Sequence, residues 1–125
     1  MPITKDINKT KNLTTFKITE KVTFDEFKEV IVDFYKEEST GYVIFDLRDA
    51  GGTGETFSHQ RITELADFIE SIRKGRDKGK TALVVAKDVL YGICKMIEAY
   101  MHRSEIKYAT FRDMEKAVEW LEQDS

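Results

Sequence analysis

The sequence predicts an α/β domain over residues 1–125, with strands and helices in the order β-β-α-β-α-β-α-β-α. Short apolar or alternating runs, typical of strands, are separated by longer segments with apolar residues every three or four positions. The length of 125 residues, with 41% hydrophobic residues, suits one domain rather than two. Alternating strands and helices imply parallel strand pairs that are joined by right-handed crossovers.

The first two elements are predicted to form a hairpin that adds an antiparallel edge to this sheet. Thr14, Phe16 and Ile18 alternate with polar residues, which indicates a half-buried strand. A weaker strand precedes it over residues 3–9, and residues 11–12 provide the turn between the two strands.

The first helix is predicted over residues 23–38. Thr23 and Glu26 fit a capping box, because a hydroxyl and a carboxylate can each accept a hydrogen bond from an unpaired amide. A continuous apolar run over residues 42–47 follows, as expected for a central strand that is buried on both faces. The inward-facing residues of the helix are Phe27, Val30, Ile31 and Phe34.

The remaining elements continue the alternation after a glycine-rich loop. They are a helix over 58–74, a strand over 81–86, a helix over 89–104, a short strand over 108–111 and a helix over 114–122. Cations suit the end of a helix, where the backbone carries partial negative charge. The basic group at the end of the second helix contains Arg73, Lys74, Arg76, Lys78 and Lys80. It could dock an acidic partner, but we favour the interpretation that it is a solvated turn.

The composition excludes several classes of function. With 20 Lys+Arg against 23 Asp+Glu and a net charge of -3, the chain lacks the basic footprint of a nucleic-acid-binding protein. The single cysteine excludes an internal disulfide and a multi-cysteine zinc site. No apolar segment has the length of a signal sequence or membrane span, so we expect a cytoplasmic protein without an integral membrane segment.

A glycine-rich loop joins the central strand to the second helix and reads Gly51-Gly52-Thr53-Gly54-Glu55-Thr56-Phe57-Ser58. Amides at the helix N-terminus there could hold an anion. The loop nonetheless matches no nucleotide-binding motif, because no Walker lysine is present and Phe57 occupies the position of the third glycine in a dinucleotide-binding loop. A surface turn without a ligand stays open as the alternative, and no cofactor is expected.

Acidic residues at the end of the central strand are weak candidates for catalysis. Asp46 and Asp49, together with Lys87, could bind Mg²⁺ or accept a phosphoryl group. Such pairs have low specificity, and the favoured interpretation is that Asp46 pairs with Arg48 or with a backbone amide.

Histidine and cysteine form no metal-binding or nucleophilic pattern. His59 and His102 each lack a second histidine three or four residues away, which excludes a helical metal pair. Cys94 lies about two helical turns from His102, too far for a dyad within one helix, and is expected in or near the core. No catalytic residue and no metal ligand are therefore predicted.

Three segments carry a resemblance to a known family. They are Tyr42-Val43-Ile44-Phe45-Asp46-Leu47-Arg48-Asp49-Ala50, then Thr81-Ala82-Leu83-Val84-Val85-Ala86 leading into Tyr91-Gly92-Ile93-Cys94-Lys95-Met96, and Phe111-Arg112-Asp113-Met114-Glu115-Lys116-Ala117-Val118-Glu119-Trp120-Leu121. They resemble the strand and loop, the aromatic-glycine helix start and the closing segment of the SpoIIAA-like group. This group belongs to the STAS superfamily of sulfate-transporter and anti-sigma-factor-antagonist domains. The resemblance covers roughly residues 12–122 in element order.

The resemblance implies a mixed sheet with helices largely on one face. It also implies a non-catalytic role in docking onto a protein partner, in some members as an anti-sigma-factor antagonist that phosphorylation switches. In phosphorylated STAS domains the acceptor serine lies in an Asp-Ser-Ser-Gly-like turn at a helix start, and here the glycine-rich loop replaces that turn. Ser58, Thr56 and Thr53 are therefore only positional candidates for phosphorylation.

The predicted partner-binding surface combines the glycine-rich loop with the outer face of the second helix. A loop before an exposed helix, in a chain without catalytic patterns, is typical of a contact surface. The candidate residues are Gly51, Gly52, Thr53, Gly54, Ser58, Gln60, Arg61, Glu64 and Asp67.

Binding of a small apolar ligand or lipid between sheet and helices is the alternative function. Thioethers and aromatic rings suit apolar ligands, although their helical spacing here is more often that of an ordinary core. The candidate lining residues are Tyr91, Met96, Tyr100 and Met101. A homodimer also stays open, because the leading hairpin or the strand over 108–111 could form a sheet edge that pairs.

Overall fold

Strands and helices follow one another along the chain in the predicted order. The computed structural model describes residues 3–21, 23–36, 40–51, 58–72, 79–102 and 104–123, and of residue 59 the backbone alone. The elements are β1 Ile3–Asn8, β2 Leu13–Ile18, α1 Phe24–Lys36, β3 Tyr42–Asp46, α2 His59–Ile72, β4 Gly79–Val84, α3 Asp88–Tyr100, β5 Ile106–Phe111 and α4 Met114–Glu122. The predicted α/β class and the element order are confirmed.

The strands form one five-stranded sheet in the order β1-β2-β3-β4-β5. β1 and β2 pair antiparallel, and every other neighbouring pair is parallel. The hairpin thus adds the expected antiparallel edge. Because β2 to β5 run in one direction, their carboxyl ends lie at the same end of the sheet, where the loops to the four helices begin.

Aromatic rings fill the core between the sheet and α1. Phe16 stacks on Phe45 with 5.1 Å between ring centroids and meets Phe34 edge-on at 5.9 Å. The ring of Phe27 lies 5.3 Å from that of Phe45. All four rings are buried. One aromatic cluster therefore joins β2, β3 and α1, and it continues into the apolar faces of α2 and α3.

Helix α4 lies on the opposite face of the sheet from α1, α2 and α3. Neighbouring residues of a strand point to opposite faces, so Val43 belongs to the core under α1 to α3 and Ile44 to the core under α4. Three of the four helices share one face, as the resemblance implies. The buried residues of the smaller core are Ile44, Ala82, Val84, Ala117 and Leu121.

Lys80 is buried in β4, so the prediction of a solvated turn is wrong for this residue. Its ammonium donates hydrogen bonds to the carbonyls of Trp120 at 2.8 Å and Gln123 at 2.7 Å. The Trp120 carbonyl also accepts a hydrogen bond from the Gln123 amide at 3.3 Å, so this cation adds a charged donor at the C-terminal end of α4, where the helix dipole favours positive charge. The other members of the predicted basic turn lie outside the described residues, namely Arg73, Lys74, Arg76 and Lys78.

Local signals set several boundaries as predicted. The capping box forms, because the Thr23 amide donates to Glu26 Oε1 and the Glu26 amide donates to Thr23 Oγ1, each at 3.1 Å. Asn12 has a φ of 55°, a conformation that asparagine tolerates, and it lies in the turn between β1 and β2. α3 ends earlier than predicted, at Tyr100, and β5 begins earlier, at the fully buried Ile106.

Gly92 occupies an exposed position within α3, and a Cβ added there would meet nothing within 4 Å. We expect Gly92→Ala to raise the free energy of unfolding by about 0.5–1 kcal/mol, because alanine loses less backbone entropy when the helix forms. Urea denaturation measures the change. Gly51→Ala is the contrasting variant, since its Cβ would lie 3.2 Å from the Lys21 amide nitrogen. An unchanged or lower value for Gly92→Ala would contradict this expectation.

Candidate functional site

Charged side chains gather at the carboxyl end of the sheet. In open sheets with parallel strands this end carries the loops that most often bind ligands and partners. The charged residues that end or directly follow β3, β4 and β5 are Asp46, Arg48, Asp49, Lys87, Asp88, Arg112 and Asp113.

Asp46 and Arg48 form a two-point ion pair. Arg48 Nε donates to Asp46 Oδ1 and Arg48 Nη2 donates to Asp46 Oδ2, both at 2.9 Å. The Arg48 amide also donates to Asp46 Oδ1, at 3.2 Å. These hydrogen bonds hold the pKa of the buried Asp46 below its ordinary value, although burial acts in the opposite direction. The predicted pairing of Asp46 with Arg48 is confirmed.

Asp46→Asn should destabilise the protein more at neutral than at acidic pH. The pKa of Asp46 is lower in the folded state than in the unfolded state, so its carboxylate stabilises the fold at pH values above the unfolded-state pKa. This stabilisation is lost as the pH falls from the unfolded-state pKa through the folded-state pKa. We expect a loss of about 1–2 kcal/mol in the free energy of unfolding near neutral pH, from the weakened hydrogen bonds to Arg48.

Urea denaturation near pH 7 and near pH 3 tests this pH dependence, since these values bracket the ordinary carboxyl pKa. Asp49→Asn is the control. Its exposed carboxylate lies 3.9 Å from Lys17 Nζ, so its removal should change stability little at either pH. Equal losses for Asp46→Asn at both pH values would contradict the assignment.

The remaining candidates for catalysis also contact groups of the chain itself. Asp49 pairs with Lys17, whereas Lys87 Nζ donates to the carbonyl of Ala50 at 3.0 Å. Lys87 thereby ties the start of the loop after β3 to the segment before α3. Asp46, Asp49 and Lys87 thus have different partners.

Arg112 connects the end of β5 to the start of α3. Its Nη2 donates to Asp88 Oδ1 at 2.7 Å, and its Nη1 donates to the carbonyl of Ala86 at 3.1 Å. The guanidinium also lies 4.4 Å from the centroid of the Tyr91 ring. In the sequence, Arg112 stands out only as part of the closing segment that resembles the family. The signal for its role is its position directly after a predicted strand.

Ser58 caps the N-terminus of α2. Its Oγ accepts a hydrogen bond from the Arg61 amide at 3.4 Å, and its carbonyl accepts one from the Ile62 amide at 3.0 Å. Ser58 is exposed, and Gly51 begins the loop beside the backbone of Lys21. The other predicted loop residues lie outside the described part of the chain, namely Gly52, Thr53, Gly54 and Thr56.

The outer face of α2 is exposed as predicted, and we call its residues Gln60, Arg61, Glu64 and Asp67 the α2 surface. The guanidinium of Arg61 lies 4.9 Å from the Phe24 ring centroid, and its Nη1 lies 3.8 Å from Glu64 Oε2. Beside it, Lys28 Nζ lies 4.5 Å from the centroid of the Phe68 ring. Contacts with rings restrict both cations at the seam between α1 and α2.

The four residues predicted to line an apolar pocket lie in different surroundings. Met101 is 3% exposed, whereas Met96 and Tyr100 are 36% and 40% exposed. Tyr91 is half-buried beside Arg112. Met96 and Tyr100 share a helix face because they are four residues apart, and Met101 falls on another face. The structure does not bring the four side chains together.

Two small apolar cavities lie between the sheet and α1 to α3. Their volumes are about 30 and 40 Å³. Phe27, Leu83 and Ile97 line both cavities and therefore separate them. A cavity of roughly 10–15 Å³ already holds one water molecule, so each of these has room for only a few atoms.

Cys94 is buried in the core, as expected, and burial raises its pKa to about 12. The thiol is therefore protonated at neutral pH and is a poor nucleophile.

His102 is exposed, and the side chain of His59 lies outside the described residues. Among the described side chains, no three His, Cys, Asp or Glu residues are grouped to hold a metal ion. No helix within the described ranges is long and apolar enough to cross a membrane.

Comparisons with known proteins agree on the fold. A family model described as SpoIIAA-like matches residues 13–122. An uncharacterized protein with a SpoIIAA-like fold from Shewanella loihica is a similar solved structure. It shares 13% sequence identity with this chain at a TM-score of 0.57, and the alignment covers 95% of this chain and 91% of that one. No curated protein matches at a significant level. At this identity the structural likeness shows the fold alone.

Proposed function

Since the chain belongs to the SpoIIAA-like family and has a STAS-like fold, we propose that it is a non-catalytic cytoplasmic domain that regulates a protein partner by binding it. The proposed contact is the α2 surface, with Ser58 at its start. One observation carries the proposal. The outer face of α2 is exposed, and its central charges, Arg61 and Glu64, are held in place by their mutual contact and by the Phe24 ring.

The order of the α2 surface supports a binding role. Binding normally costs about 0.5–1.5 kcal/mol for each long side chain that becomes immobilised. Arg61 is already restricted by the Phe24 ring and by Glu64. On the adjoining helix α1, Lys28 is restricted in the same way by the Phe68 ring. A partner that meets these side chains would therefore lose less entropy than on an unrestrained surface.

The charges at the carboxyl end of the sheet support a non-catalytic role. Catalytic acids and bases usually have pKa values shifted towards the working pH, so that they exchange protons there. Here the pKa of Asp46 is lowered and that of Arg48 is raised, mainly by their mutual hydrogen bonds. Both groups therefore stay charged at neutral pH, which suits a structural ion pair.

Arg61→Ala/Glu64→Ala should abolish partner capture without unfolding the protein. Affinity capture from cells of the native host, quantified by mass spectrometry, compares this variant with the unmodified protein. We expect recovery of the specific partner to fall at least tenfold, because the two central charges of the α2 surface are lost.

Lys95→Ala/Glu98→Ala is the matched control. It removes another ion pair at i,i+3 spacing from α3, with 3.3 Å between Lys95 Nζ and Glu98 Oε2. This variant should retain the partner. Full recovery with the Arg61/Glu64 variant, or equal loss with both variants, would count against the α2 surface.

Ser58 is the proposed phosphorylation site within this function. It is exposed at the start of α2, where a phosphate would meet helix amides and the positive end of the helix dipole. Phosphosite mapping of protein from native cells should find phosphorylated Ser58 under at least one growth condition. Absence of phosphorylated Ser58 under every condition would contradict the proposed phosphorylation switch but not the proposed partner binding.

Binding of an apolar ligand is the second candidate function, which the two apolar cavities favour. Rearrangement of the shared residues Phe27 and Ile97 would join them into one larger space. Native mass spectrometry of the purified protein should then reveal a co-purified small molecule. Protein that carries no added mass from any host would argue against this function.

A further inference from the structure

A groove of about 300 Å³ runs between β1 and α1, away from the α2 surface. Its floor is apolar and includes Phe16 and half-buried Ile3 and Val30. Its rim on α1 carries Glu26, Glu29 and Asp33, which recur at helical spacing on one side of the helix, against Lys5 on β1. The groove therefore combines apolar surface with an excess of negative charge.

The strand beside this groove is an edge of the sheet. β1 stands first in the strand order and pairs with β2, so its outer backbone groups face no strand within the described ranges. All residues of β1 after Ile3 are exposed, among them Ile7 at 42%. An exposed edge with unpaired amides and carbonyls is a template for another strand.

We propose that this edge and groove bind an extended, Lys- or Arg-bearing peptide segment of a partner protein, which adds to β1 as a sixth strand. The partner's backbone pairs with the outer edge of β1. Alternate side chains of the added strand enter the groove, where apolar ones cover Ile3 and basic ones meet Glu29 and Asp33. Ile7, further along β1, offers another exposed apolar contact. Glu26 already accepts the Thr23 amide in the capping box, so it plays the smaller part.

The spacing of the acidic side chains fits an extended segment. Glu29 and Asp33 are four residues apart, which places them roughly 6 Å from one another along α1. Side chains at i and i+2 of a strand point to the same face and lie about 6.8 Å apart. Two basic residues at positions i and i+2 of the added strand therefore match the spacing of Glu29 and Asp33.

The same charges disfavour a second copy of this chain as the occupant. Antiparallel pairing of β1 with its own copy places both α1 helices on the same face of the joined sheet. The acidic rims of the two grooves then face each other, and like charges across an interface oppose association. A basic partner meets three carboxylates against the single lysine, Lys5, that lines the groove, so attraction prevails.

A displayed library of random nine-residue peptides, selected on the 125-residue chain, tests the proposal. Enriched peptides should carry Lys or Arg at alternate positions. The best of them, made synthetically, should bind Glu29→Lys/Asp33→Lys at least tenfold more weakly, as measured by fluorescence anisotropy. Hydrogen–deuterium exchange should show that β1 amides exchange more slowly when the peptide is bound.

Glu115→Lys/Glu119→Lys is the matched control, because it reverses two exposed charges at the same i,i+4 spacing on α4. It should bind the peptide as the unmodified protein does. Circular dichroism verifies that both variants are folded. Equal binding by the Glu29/Asp33 variant, selection of peptides without basic residues, or binding without protection of β1 would each overturn the proposal. None of these results would bear on the proposal that the α2 surface binds a protein partner.

Discussion

Phe16→Ala is expected to lower the free energy of unfolding by about 3–5 kcal/mol. Phe16 is 2% exposed and touches both Phe45 and Phe34, so its removal leaves a cavity between β2, β3 and α1. Small domains have only about 5–15 kcal/mol of stability in total, so much of the fold's margin depends on this ring. Urea denaturation followed by circular dichroism measures the loss.

Phe16→Leu separates the loss of packing volume from a general intolerance of substitution. Leucine fills part of the space and keeps the position apolar, so it should cost clearly less than alanine. Ile7→Ala, at an exposed position of the same hairpin, should change stability by less than about 0.5 kcal/mol. A loss below about 1 kcal/mol for Phe16→Ala would show that the aromatic cluster is not the centre of the core.

Lys80→Met is expected to cost about 1.5–3 kcal/mol, even though it removes a buried charge. Methionine keeps the apolar stem but cannot donate to the Trp120 and Gln123 carbonyls, which then lose a charged donor at the end of α4. The buried cation has its own desolvation cost, and its removal offsets part of this loss. Denaturant titration measures the net change.

Lys107→Met is the matched control for Lys80. Lys107 lies opposite Lys80 in the register of β4 and β5, but its side chain is exposed. The same substitution there should change stability by less than about 0.5 kcal/mol. If Lys80→Met were as stable as the unmodified protein, the ammonium would not be anchoring α4 to the sheet.

The sequence predicts those parts of the fold whose cause is local. Alternation around Phe16 indicates β2 because a strand buries every second residue, and the Thr23–Glu26 capping box indicates where α1 begins. Burial of Lys80 is different in kind. Its acceptors are 40 and 43 residues further along the chain, so no local pattern separates it from the exposed lysines around it.

At the candidate site, too, the sequence predicts local contacts and misses contacts between distant segments. The sequence predicts that Asp46 pairs with Arg48, two residues away, and that Arg61 and Glu64 are exposed on α2. It does not predict the contacts of Arg112 or the groove beside β1, because each joins elements that are distant in sequence. The acidic spacing on α1 was visible, but only the strand order places it beside an open edge.

Site-specific photo-cross-linking tests the regulatory contact most directly. A photoreactive amino acid at Asp67, on the exposed side of α2, is compared with one at Glu119 on α4, across the sheet. We expect a single partner protein to be cross-linked in native cells from position 67 and none from position 119. Cross-links from position 119 with none from position 67, or a small-molecule substrate converted by the purified protein, would contradict the proposed role.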